Sequence, residues 1–140
     1  MNEIFTLNDA IDRLNFLSSS ETVYWNVYIT VSLGVLGMLG TEYSKKQTGE
    51  FHLYFIFGYA IFLVANAYEI FMFQTHIFNI SKSIISYVGK HQDRIDSNLL
   101  PIFDNLPTIH PIVVLAFHLG IGILILFLLY RAYKNSTSTK

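Results

Sequence analysis

Residues 111–130 read PIVVLAFHLGIGILILFLLY, twenty positions in which only His118 breaks an otherwise apolar run. A helix rises about 1.5 Å per residue, so this stretch spans the roughly 30 Å of a bilayer's hydrocarbon core. Pro111 suits a first helical turn, where its missing N–H had no partner to lose. Tyr130, Arg131, Tyr133 and Lys134 follow as an interfacial anchor, so the span is expected over 111–133. A polar tail, 135–140, is expected to be disordered.

Two further stretches of this kind lie upstream. Residues 22–40 contain no charged side chain, and Tyr24, Trp25 and Tyr28 gather at their start like an aromatic belt. Ser18 and Glu21 have the spacing of a capping box that would begin this helix. Residues 51–74 form the second span, rich in Phe and Ile before Asn66 and Glu69 appear. Helical periodicity continues through Ile77, Ile80, Ile84 and Val88, with Gly89 as a possible C-cap. Residues 77–89 therefore extend the second span or form a separate interfacial helix. Residues 90–109 hold Pro101 and Pro107 and read as an ordered loop.

At the N-terminus, Ile4, Leu7, Ile11 and Leu14 fall on one stripe of an amphipathic helix over 3–18, with Thr6 and Asp9 resembling a capping box. This helix is expected to lie on the membrane surface or to pack on the bundle or a partner. Glu3, Asp9, Asp12 and Arg13, and the lack of a long apolar core, argue against a signal peptide. The expected architecture is an all-α integral membrane protein with three transmembrane helices and an amphipathic N-terminal helix, in a single membrane domain.

Composition agrees. Of the 140 residues, 52% are hydrophobic and 14% charged, against about 25% charged in ordinary soluble domains. Mean hydropathy is +0.42. A net charge of −1 with scattered basic residues gives no nucleic-acid footprint. Cysteine is absent, which excludes disulfides, thiolate metal sites and a cysteine nucleophile. The expected partners are the lipid bilayer and either a second copy or another membrane protein.

Three spans would put the N-terminus and the 76–110 region on one side, with Arg13, Lys82, Lys90 and Arg94. Lys45, Lys46, Arg131, Lys134 and Lys140 lie on the other. Positive charge near the span ends favours the latter side as cytoplasmic, hence N-terminus out and C-terminus in, at the cell membrane.

The polar residues within the spans are the candidate site. Asn26, Thr30, Gly34, Gly37 and Thr41 fall within roughly 80° on the first helix, and Gly58, Ala65, Glu69 and His76 within about 40° on the second. Small residues let helix backbones approach, so Gly34, Gly37, Gly58 and Ala65 are expected to pack helices together, inside the protomer or between copies. Measured along the spans, Asn26, Glu69 and His118 lie roughly 6, 7 and 10 Å from the same membrane face. Asn66 is about one turn deeper than Glu69, and Thr30 prolongs the stripe of Asn26. If the stripes face inward, Asn26, Thr30, Asn66, Glu69 and His118 form one polar layer, and a Glu69–His118 hydrogen bond is expected. Such a layer could carry a proton or ion path or a ligand pocket. It could equally tie three helices together through interhelical hydrogen bonds, or Glu69 could reach the headgroups.

His76, His110 and His118 are weak metal or haem candidates on the Glu69 side. No H-x-x-x-H or H-E-x-x-H pair occurs, and no metal or cofactor is expected. Nothing resembles a nucleophile elbow or a phosphate loop, and no carboxylates pair at helical spacing. The chain reads as a non-catalytic membrane protein: a subunit, a regulator or an immunity-type partner of another membrane protein. The alternative is a homo-oligomeric ion or proton channel using the layer around Glu69 and His118.

Overall fold

Apolar length decides this architecture, and the computed structural model, which describes residues 7–41, 49–95, 97 and 100–138, is built from three long helices. Helix α1 covers Leu7–Leu39, α2 covers Gly49–Lys90, a short α3 covers Leu100–Asp104 and α4 covers Pro111–Ser138. Among the described residues there is no strand. Each long helix is long and apolar enough to cross a membrane. Ile4, Thr6, Lys45, Lys46 and Lys140 lie outside the described residues.

Helix α2 is the axis of the molecule. It packs extensively on α1 and on α4, whereas α1 and α4 touch each other only sparsely. Helices α2 and α4 approach closely at Gly122, where a Cβ would run into the side chain of Leu63. From this point toward the start of α2 the three helices are held by Val35, Tyr59, Ile125 and Leu129, with Ile121, Leu126 and Phe62 packed around them.

The expected boundary at residues 18–21 is absent. Helix α1 is 33 residues long without interruption, about 50 Å at helical rise. Ser18 caps nothing; its carbonyl accepts from the Thr22 hydroxyl at 2.9 Å, the back-bond of a hydroxyl inside a helix. Nor does Gly89 end α2, which runs 42 residues to Lys90, about 63 Å. The two extensions pair. Ala10, Leu14 and Leu17 of α1 meet Ile77, Ile84 and Val88 of α2 in a second core, covered by Ile95, Leu100, Phe103 and Leu106. The apolar stripe expected to rest on a membrane is thus satisfied by α2 instead. Of the two possibilities for residues 77–89, the structure has the extension.

The segment expected as a loop over 90–109 contains a 3₁₀ turn, Gln92–Arg94, and α3. Phe103 of α3 and Leu106 just after it seal the second core, which explains why α3 sits there. At the start of α4 the His110 ring nitrogen Nδ1 accepts from the Ile112 N–H at 3.3 Å, satisfying a donor that the helix leaves open. The tail expected to be disordered is helical to Ser138. Its hydroxyls turn back onto the chain: Ser136 donates to the Tyr133 carbonyl at 2.8 Å, and Ser138 to that of Lys134 at 2.9 Å.

Candidate functional site

Two sets of polar residues occupy opposite faces of the helix pair α1–α2. The inner set begins at Tyr28, 2% exposed. Its hydroxyl donates to the backbone carbonyl of His118 at 3.1 Å, and its ring lies 3.9 Å from the imidazole. Trp25 also meets that imidazole edge-on at 5.4 Å, beside Tyr28. One turn further along α1, Ser32 and Tyr59 share a hydrogen bond of 2.9 Å between their hydroxyls. At the opposite end of this layer the Glu21 carboxylate accepts from the Trp25 indole N–H at 3.0 Å and from the Gln74 amide. Large amphipathic side chains thus fill the space between the three helices and bring their own polar tips to one another.

His118 itself is 0% exposed, and neither ring nitrogen has a hydrogen-bond partner among the described residues. The expected Glu69–His118 bond is therefore not made. Asn66, 5% exposed, likewise has no partner for its amide nitrogen.

The outer set corrects the expected orientation of the stripes. Asn26, Thr30, Gly34 and Gly37 are all exposed. Their stripe is about 180° around α1 from the buried line of Glu21, Tyr28, Ser32 and Val35. A Cβ added at Gly34, Gly37 or Gly58 would meet no atom within 4 Å, and Ala65 is exposed as well. None of these four residues packs helices together within the protomer. The reason is volume: aromatic residues already hold α1 off its neighbours, and the small residue that the packing needs is Gly122.

On α2 the small stripe stands at the edge of an open furrow between α1 and α2. One part, about 360 Å³, is walled by Val23, Val27, Phe62, Ala65, Asn66 and Glu69. A second part, about 350 Å³, is walled by Val31, Val35, Tyr54, Phe55, Gly58 and Tyr59. Glu69 is half-buried in the first part. The expected single layer is thus divided. His118 belongs to the protein's interior, Asn66 and Glu69 to the furrow wall, and Asn26 and Thr30 to the outer face of α1.

The metal candidates are likewise apart. His76 is exposed on α2, His110 lies against the Phe78 ring at 5.3 Å, and His118 is enclosed by Trp25 and Tyr28. Tyr28, Ser32, Tyr59 and Gly122 were missed by the sequence reading. For Tyr28 and Ser32, a line at helical spacing with Glu21 and Val35 was the available signal; Tyr59, on α2, had no such line. For Gly122 there was none, since its need arises from the Leu63 side chain of another helix. No protein-family model, curated protein or solved structure matches the chain.

Proposed function

We propose that this chain is a three-span membrane protein, non-catalytic, that works by docking the outer face of α1 and the α1–α2 furrow against another membrane-embedded helix. The observation carrying this reading is the outward stripe Asn26, Thr30, Gly34 and Gly37, opposite the protein's own core. Lipid tails offer no hydrogen bonds, so polar groups turned toward them are costly and small residues there leave voids. A partner helix removes both penalties, because it can lie close over glycine and answer the amide and the hydroxyl.

In this reading the apolar parts of α1, α2 and α4 cross the bilayer. Residues 7–20 of α1 and the end of α2 project from it as an antiparallel helix pair capped by α3. The distribution of basic residues favours that pair outside and the C-terminus in the cytoplasm, at the cell membrane. An ion or proton path through one protomer finds less support, because Glu69 and His118 belong to different surfaces and the His118 ring is sealed by aromatic neighbours.

Photo-crosslinking in native membranes tests this directly. A benzophenone amino acid at Thr30 is expected to give protein adducts, and the same group at Leu124, exposed on α4, is expected to give none. Adducts from Leu124 alone would overturn the docking face.

A further inference from the structure

Resting on that docking face, the geometry points to a second copy of this chain as its occupant: the outer stripe of α1 in one protomer seats in the α1–α2 furrow of the next. Depth in the membrane favours this occupant. The furrow wall brings Val23 and Val27 of α1 level with Ala65 and Glu69 of α2. It also brings Val31 and Val35 level with Gly58. Asn26 lies between the first pair of valines and Gly34 between the second. Copies inserted with the same topology stand at the same height. Asn26 of one copy then meets Glu69 of its neighbour within about one helical turn, and Gly34 meets Gly58.

Chemistry matches at each level. The Asn26 amide donates to the Glu69 carboxyl oxygens. Asn66 lies on the furrow wall at the height of Asn26, and its buried amide nitrogen, without an acceptor among the described residues, can be answered by the Asn26 carboxamide oxygen. Gly34 and Gly58 have open space where a Cβ would stand, so two backbones can close on each other there. Polar residues face polar ones and glycine faces glycine along some two turns of helix. A partner of arbitrary sequence would have no reason to reproduce that register. The contact is heterologous, since stripe and furrow are different surfaces, and repetition builds a closed ring or an open row.

Absence of native cysteine makes the test clean. Two differently tagged chains, each with one introduced cysteine, are co-expressed and oxidised in the membrane with copper–phenanthroline. A disulfide needs Cβ atoms about 3.5–4.5 Å apart. Asn26→Cys is expected to cross-link to Ala65→Cys, and Gly34→Cys to Gly58→Cys, each at least tenfold above either cysteine paired with Leu124→Cys. Both glycine sites are open, so these variants should fold. Cross-links of Asn26→Cys with itself and Gly34→Cys with itself, in place of the mixed pairs, would overturn the stripe-in-furrow contact. Adducts from a photoreactive group at Thr30 that contain only other proteins would overturn the second copy while leaving the docking face standing. No adduct of any kind from Thr30 would remove both.

Discussion

At the scale of single residues, burial and hydrogen bonding are separable at His118. Its backbone carbonyl accepts from Tyr28 while its ring nitrogens have no partner among the described residues. An unsatisfied polar group can be exchanged for an apolar one of similar size at little cost. His118→Leu is therefore expected to change unfolding stability in detergent by less than about 1 kcal/mol, the lost ring contacts offsetting the lost polar burial. Tyr28→Phe removes a made hydrogen bond and should cost about 0.5–1.5 kcal/mol. Chemical denaturation followed by the fluorescence of the single tryptophan, Trp25, reads both; a loss of several kcal/mol in His118→Leu would mean that the ring is bonded after all. Gly122 is constrained by volume. Gly122→Ala should cost about 1–3 kcal/mol by overpacking against Leu63. Leu63→Ala should cost more on its own, and the double variant less than the sum of the two, with coupling of at least about 0.5 kcal/mol. Strict additivity would deny the contact. The sequence reading could rank His118 as the polar residue deepest in its helix. Tyr59 was invisible to it, because an aromatic in an aromatic-rich helix gives no sign of which way its hydroxyl points.

At the scale of elements, the apolar lengths of the three helices were legible because hydrophobic run length is a local property. Where helices end was less so. Ser18, Ser19, Ser20, Glu21 and Thr22 look like a cap when read alone, since such side chains compete for backbone groups. In the fold, Leu14 and Leu17 on one side of that cluster and Tyr28 on the other all pack against α2 or α4, and this packing carries the helix through. Proline separates the two possibilities. Ser19 is exposed, so Ser19→Pro disturbs backbone geometry alone. In a continuous helix it should cost about 3 kcal/mol or more, whereas in the first turn of a new helix it would be nearly neutral. The thermal midpoint in detergent distinguishes them. Ile84, 1% exposed, anchors the second core, and Ile84→Ala is expected to lose about 2–5 kcal/mol. Retention of full stability would mean that the α1–α2 extension is not packed.

At the scale of the whole molecule, faces were harder to read than elements. In water, a polar stripe on an amphipathic helix points outward by default. In lipid, the protein's outside is as apolar as its inside, so small and polar residues mark a helix–helix contact without saying whether it lies within one chain or between two. Asn26, Thr30, Gly34 and Gly37 had the pattern of an interface, yet among the described residues no side chain covers them. The interior went instead to Tyr28, Ser32, Tyr59 and His118. The most direct check of this inside–outside assignment is the thermal midpoint and particle mass of Gly34→Phe beside Ser32→Phe in mild detergent. Gly34→Phe is expected to keep a cooperative folded transition, lowered only by the lost association, and to fall to the mass of a single protomer, while Ser32→Phe loses its folded transition. A Gly34→Phe protein that is itself unfolded, with Ser32→Phe intact, would place the stripe inside the bundle and contradict the account.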